Sequence, residues 1–338
     1  MTTPRPPATP TGHPAEHFHR LRTDARARDL LQARSAIQHA IRRRLDLDGH
    51  THVDTPLLQH RSPATRPHVT TRHRGPDRVL RDQPPYLRAM LTAGFARVYE
   101  IARTRNEPAD ATHTGEYTLV EIHRAHADYV TTRHLIQNLV RAAADAMPWI
   151  EPATGAGPPR IDWVQPWAVT TVHAAVGAVV AVHITPDTDT PELLRLARKH
   201  GLDPDPASSA DELLLHLYDN LVEPATHTPT FHIDFPASQA PLAQPCAHDT
   251  RLAQTWDLVV AGIHVATSST ALADGAALRA RLAANTPRVD RDEPATIDDA
   301  WPAVFDAPMP PSGNLRIDLD RLVQVLTGAE RIDDVQSR

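Results

Sequence analysis

The segment MPPSGNLRIDLDRLVQVLTG, residues 309–328, constrains the fold more than any other stretch of this chain. Leu315, Ile317 and Leu319 alternate with Asn314, Arg316 and Asp318, the period of two of a strand with one buried face. Asp320 stands where a helix N-cap is expected, ahead of Arg321-Leu322-Val323. A strand that passes straight into a buried helix calls for a sheet with helices packed on it. The second face of that strand carries three polar residues, and their purpose is the question the rest of the chain must answer.

The chain has 338 residues, 41% hydrophobic and 22% charged, enough for a sizeable core in one large domain or two smaller ones. Its single cysteine, Cys246, excludes an internal disulfide framework and a cysteine-rich zinc site. Residues 1–15 are rich in Pro and Thr and lack an apolar core. They read as a disordered leader rather than a signal peptide, and a cytoplasmic location is expected. The apolar run 168–184 contains Thr170, Thr171, His173 and His183 and many valines, so it predicts a buried strand or helix and no membrane span. Charge is uneven. Residues 1–105 hold 19 arginines and nine acidic residues, and the remainder holds 16 basic and 32 acidic ones. That asymmetry fits either a nucleic-acid face or, more simply, halves that neutralise each other on folding.

Leu30, Ile37, Ile41 and Leu45 recur at helical spacing and predict a helix over 29–45, with Arg42, Arg43 and Arg44 on its wet face. Pro56 in HVDTPLL suits a strand end or edge. Residues 86–102 read as a helix, a break at Gly94 and a strand through Val98 and Ile101. A further strand follows in YTLVEIHRAHADY, and helices are predicted near 190–200 and 210–222. The order lacks regular strand–helix alternation, so the expected class is α+β with a mostly antiparallel sheet flanked by helices. There is no P-loop or dinucleotide glycine motif. His123 and His126, three apart in a strand, would lie on opposite faces and do not suggest zinc.

Four blocks carry a family resemblance. IRRRLDLDGHTHVDTPLL resembles motif 1 of class II aminoacyl-tRNA synthetases of the lysine/aspartate/asparagine subgroup. GFARVYEIARTRNEPADATHTGEYTLVEIHRAHADY resembles motif 2, PTFHIDFPASQAPLA the segment that follows it in lysyl enzymes, and residues 309–335 motif 3. The resemblance spans residues 16–335 and implies one catalytic domain of the class II synthetase type. It also implies a homodimer built on motif 1, without the family's N-terminal anticodon-binding OB domain. In that respect it is similar to stand-alone lysyl-tRNA synthetase paralogues, some of which attach amino acids to acceptors other than tRNA.

Activation of an amino acid is attack of its carboxylate on the α-phosphate of ATP, which calls for fixed cations, an adenine platform and carboxylates for Mg²⁺. The resemblance implies Arg105 on the α-phosphate, Glu107 on the adenine side and His113 near the phosphates. Tyr117 would stack on adenine, and Arg321 would cover its other side and reach the terminal phosphates. Glu121 would hold the substrate α-amino group, with His123 nearby in place of an aromatic hydroxyl. The metal pair becomes Asp257 and His264, and neutral imidazole is a poor Mg²⁺ ligand. Several positions depart from the family. Motif 2 is one residue short before Arg105. The carboxylates that hold a lysine side chain are replaced by Ala271 and by Pro84 or Pro85. Asn314, Arg316 and Asp318 stand where the family has glycines that let the nucleotide lie against the strand. Arg316 and Asp318 are expected to pair with each other or with Arg321.

Two functions follow. One is an ATP- and Mg²⁺-dependent ligase that forms an aminoacyl-adenylate and passes it to a tRNA or another acceptor. The other is a synthetase-like binding or regulatory protein without that activity. An RNA-binding protein without chemistry is a third reading, disfavoured by the overall negative charge.

Overall fold

The computed structural model describes residues 14–60, 78–80, 86–105, 116–149, 161–285 and 307–336. Helices α1 (Pro14–Thr23) and α2 (Ala25–Leu47) meet at Asp24, whose carboxylate caps α2 by accepting from the Arg26 N–H. Leu30, Ala33, Ile37, Ile41 and Leu45 form one buried stripe along α2, as the helical period dictates. Residues 1–13 of the expected leader lie outside the described residues. Helix α3 (Tyr86–Thr92) and Gly94, at φ 95°, lead into β4 (Arg97–Arg105). Strand β5 (Glu116–Ala125) returns along β4 and runs to α4 (Tyr129–Asp145), capped by Asp128.

The chain then forms β6 (Ala168–Thr171), α5 (Val172–Val180), α6 (Thr190–Lys199) and α7 (Ala210–Leu217), the last continued by one π turn over Tyr218–Val222. Strands β7 (Thr230–Ile233), β8 (Thr255–Val260) and β9 (Ile263–Thr270) follow, then α8 (Gly275–Asn285), β10 (Ser312–Asp318) and α9 (Leu319–Thr327). With β1 (Thr51–His52) they make an open eight-stranded sheet in the order β1-β4-β5-β10-β9-β8-β7-β6, and β2 (Leu58–His60) and β3 (Arg78–Leu80) form a separate pair. The five inner pairings are antiparallel. Both edge strands pair in parallel, β1 with β4 and β6 with β7, because each reaches its neighbour by a long crossover rather than a hairpin. The run 168–184 divides between strand β6 and helix α5.

One sheet face is apolar. Tyr99, Val120, Ile122, Leu315, Ile317, Leu258, Trp256 and Phe231 bury there against α2, α4 and α9. Each such side chain contributes about 1.5–3 kcal/mol relative to exposure. Gly313 allows β10 to approach α4, since a Cβ there would stand 3.0 Å from Thr132 Cγ2 and 3.1 Å from the Asp128 carbonyl. A second cluster, Val172, Val176, Leu196, Leu213, Leu217 and Tyr218, packs α5–α7 into a unit of their own.

The helix start in motif 3 differs from the sequence reading. Asp318, not Asp320, is the N-cap, accepting from the Arg321 N–H at 3.0 Å. The strand ends two residues earlier than the cap assignment requires. Asp320 therefore lies within the first helical turn, buried on the core side, 2.5 Å from Arg34.

Candidate functional site

Strand alternation sends a different set of residues to the opposite sheet face. The cross-strand register aligns Glu100, Glu121, Arg316, Thr267, Asp257 and His232 in one transverse row over six neighbouring strands. A second row, one pleat along, aligns Val98, His123, Asn314, Ser269 and Thr255. Polar groups collected this way on a sheet face are expensive unless partnered, and here each is engaged. Glu100 accepts from the Thr55 N–H at 2.8 Å and from its hydroxyl at 2.9 Å, which ties the segment after β1 to the row. Asn314 lies flat on the sheet, exchanging hydrogen bonds with Ser269 at 2.9–3.1 Å.

Glu121 is the centre of the site. It is 2% exposed. Its Oε1 faces Arg316 Nη2 at 3.3 Å and His123 Nε2 at 3.0 Å. Burial alone would raise its pKa, but the Arg316 charge, the His123 hydrogen bond and the His123 charge outweigh it and hold the carboxyl at about 2. Its second oxygen, Oε2, is buried and has no hydrogen-bond partner among the described residues.

The positions expected to bind nucleotide gather at one end of the sheet. Tyr117 enters β5 opposite Thr104, Arg105 closes β4 opposite Glu116, and Arg321 begins α9 just past β10. The β4–β5 register is continuous from Arg97 to Arg105. Arg105 is consequently one position out of phase with Glu100 and Thr104. Glu107, His113, Pro84 and Pro85 lie outside the described residues, as does the side chain of Arg105. Arg321 is engaged within the chain: Nε lies 3.5 Å from Asp318 Oδ2, and Nη1 donates to the His264 carbonyl at 3.1 Å. The expected pairing of Asp318 with Arg321 is therefore present, and Arg316 is bound to Glu121.

His264 Nε2 sits 3.5 Å from Asp257 Oδ1. Burial would lower the imidazole pKa, but Asp257 and, further off, Glu223 raise it to about 9. Burial pushes Glu223 up to about 7, and it raises Asp219 as well. Asp257 offers the pair a hard oxygen ligand, but an imidazole in the second position suits Mg²⁺ poorly. On the strand face expected to take the nucleotide stand Arg316 and Asp318, the latter paired with Arg321.

At the amino-acid end, Ala271 is buried among Leu87, Leu91, Val98 and Met309. A lysine ammonium there would meet an apolar wall. Sequence reasoning did not single out Glu100, Asp219 or Glu223. A charged residue between Tyr99 and Ile101 was a usable signal for Glu100. Nothing in the local pattern marks the π turn that carries Asp219 and nearly reaches Glu223.

An open α+β sheet of this topology, with Glu121 on β5 and Arg321 heading the helix after β10, is the frame of a class II synthetase. The chain matches the family described as tRNA synthetases class II (D, K and N) over residues 13–337, and it belongs to that family. Members of the family generally use ATP and Mg²⁺. Among curated relatives, the chain is similar to the lysylphosphatidylglycerol biosynthesis bifunctional protein LysX of Mycobacterium marinum, 36% identical over 319 residues. It is also similar to LysX of Mycolicibacterium gilvum, 37% identical over 313 residues, and of Nocardia farcinica, 32% identical over 332. These matches cover 91%, 89% and 95% of the chain but only 29%, 28% and 29% of the relatives. Among the described residues no helix is long and apolar enough to cross a membrane.

Proposed function

We propose that this chain binds a free amino acid as a zwitterion at Glu121 and Arg316, in a synthetase frame that does not carry out the family's ATP-dependent activation. One observation carries this reading: a buried, ionised carboxylate at the sheet centre with one oxygen engaged and one, Oε2, without a partner among the described residues. An α-ammonium donating to Oε2 leaves the contacts of Oε1 to Arg316 and His123 in place. The substrate carboxylate then meets the Arg316 guanidinium, whose fork suits it. His123 fixes the orientation of Glu121. The apolar surroundings of Ala271 favour a neutral side chain over lysine.

Calorimetry with a panel of amino acids, run beside ATP–pyrophosphate exchange, tests the proposal. Binding of a neutral amino acid, abolished by Glu121→Gln, is expected, with exchange no higher than without protein. Absence of amino-acid binding would sink it.

A second reading is favoured by the gathering of Tyr117 and Arg321 at one end of the sheet and by the biosynthetic naming of the relatives. In it the chain is an ATP-dependent ligase that passes an aminoacyl group to a tRNA or non-tRNA acceptor. Measurable exchange with any amino acid would establish that reading instead. Both readings assign the function to residues 16–335 of a cytoplasmic protein. Both imply a homodimer through motif 1, which sedimentation at micromolar concentration checks.

A further inference from the structure

Asp234 follows β7 directly, two residues beyond His232 of the transverse row. It is 4% exposed and adopts φ 61°, a backbone conformation that Asp tolerates better than most residues. Its carboxylate meets two side chains from the connection to β8. The Cys246 thiol donates to Oδ1 at 3.5 Å, and His248 Nε2 lies 3.7 Å from Oδ2. One ligand atom from each of the three residues falls within 4.8 Å of the others, and among the described residues no other group of three such side chains does so.

We propose that Asp234, Cys246 and His248 form a binding site for a divalent transition ion of the zinc class, separate from the Asp257–His264 pair. Tetrahedral Zn²⁺ with O, N and S ligands at ordinary bond lengths keeps those ligands about 3.4–3.6 Å apart. The thiol and the imidazole lie 3.5 and 3.7 Å from the two oxygens of the Asp234 carboxylate, close to that edge. The donor set is also selective. Thiolate and imidazole favour zinc-class ions over Mg²⁺ or Ca²⁺.

The backbone holds the ligands in place without a metal. The Asp234 N–H donates to the Thr255 carbonyl at 3.1 Å, and the Cys246 N–H to the Leu252 carbonyl at 2.8 Å. Two of the ligands are buried, and the His248 side chain is 62% exposed. An ion therefore has a route in and a fourth position for water, the arrangement of an open rather than a closed zinc site. Binding forms the metal–sulfur bond as the Cys246 S–H proton leaves to solvent. Without a metal the thiol simply donates to Asp234, and the experiment must separate those two states.

Co²⁺ titration of untagged, chelator-stripped protein makes that separation. Cys246 is the only cysteine, so a thiolate-to-cobalt charge-transfer band reports this site alone, however many of the 21 histidines bind metal elsewhere. The expected result is a band that saturates at one equivalent, is displaced by Zn²⁺, and is absent in Cys246→Ser. His248→Ala, an exposed change that leaves the core intact, should weaken binding by about tenfold or more. Asp234→Asn should do the same where its melting curve shows a folded protein. No band in the unaltered protein, or a band unchanged by His248→Ala, would overturn the site.

Discussion

Replacing Arg316 by Ala removes the main counter-charge of Glu121, and the consequence can be worked out from burial. Glu121 is 2% exposed, whereas the Arg316 side chain retains 27% exposure. Breaking a buried ion pair costs about 3–5 kcal/mol because it strands a charge. The exposure of Arg316 and the surviving His123 contact put this case at the lower end, about 3 kcal/mol. Combining Arg316→Ala with Glu121→Gln leaves no stranded charge, so a double-mutant cycle should show coupling of about 2 kcal/mol.

The pH dependence has a definite sign. The Glu121 pKa is held at about 2, below its ordinary 4.5. Its contribution is therefore present above pH 4.5 and lost as pH falls through 2. In Arg316→Ala burial pulls the pKa upward instead, so the gap between the two proteins is widest at neutral pH and narrows on acidification. Urea unfolding of the four proteins at neutral and mildly acidic pH measures both effects. Calorimetry should show that Arg316→Ala weakens amino-acid binding by about tenfold, the equivalent of 1.4 kcal/mol. Additive single changes, a gap indifferent to pH, or tighter amino-acid binding would each refute the reasoning.

Asp257→Asn should return the His264 pKa from about 9 towards its ordinary 6.5, visible in an NMR titration of the ring. The raised pKa gives stability that is full below pH 6.5 and fades as pH rises through 9, so the variant should lose most of the alkaline decline assigned to this pair. Arg34→Met strands Asp320 in the core and should cost about 3–5 kcal/mol in chemical unfolding, with Asp320→Leu added to it restoring most of the loss. Asp318→Ala removes the α9 N-cap and should cost about 1 kcal/mol, a modest change in melting temperature. Gly313→Ala should destabilise further than a surface change, because its Cβ would press on the backbone of α4 at Asp128.

Much of the frame was legible because it rests on periodicity. The α2 stripe and the alternation of β10 follow from spacing alone, and both stand in the structure. The parallel edges were not legible, because pairing direction depends on where a crossover returns and not on local pattern. The cap assignment at Asp320 failed for a related reason: Asp318 and Asp320 are equivalent to a local rule, and only distant partners, Arg34, 286 residues away in sequence, with Thr118 and Gln336, make Asp320 a core residue. Glu121 was reached by resemblance. Its buried second oxygen and its bond to Arg316 depend on strand register between segments far apart in the chain.

The polar face of β10 is best understood through its partners. Where the resemblance leads to an expectation of three glycines, this chain has Asn314, Arg316 and Asp318, and each is engaged by a different neighbour. Asn314 bonds Ser269 on β9, Arg316 bonds Glu121 on β5, and Asp318 caps α9 and pairs with Arg321. Random loss of a nucleotide-binding surface would leave larger side chains crowded or polar groups unsatisfied, at about 1–3 kcal/mol for each stranded group. Three replacements that all find partners instead describe a rebuilt surface. Arg316 on that face also completes the charge pairing of the carboxylate row. On the proposed function, loss of a nucleotide seat and retention of an amino-acid seat would be two consequences of one change, which is why Arg316 serves as the residue that tests both.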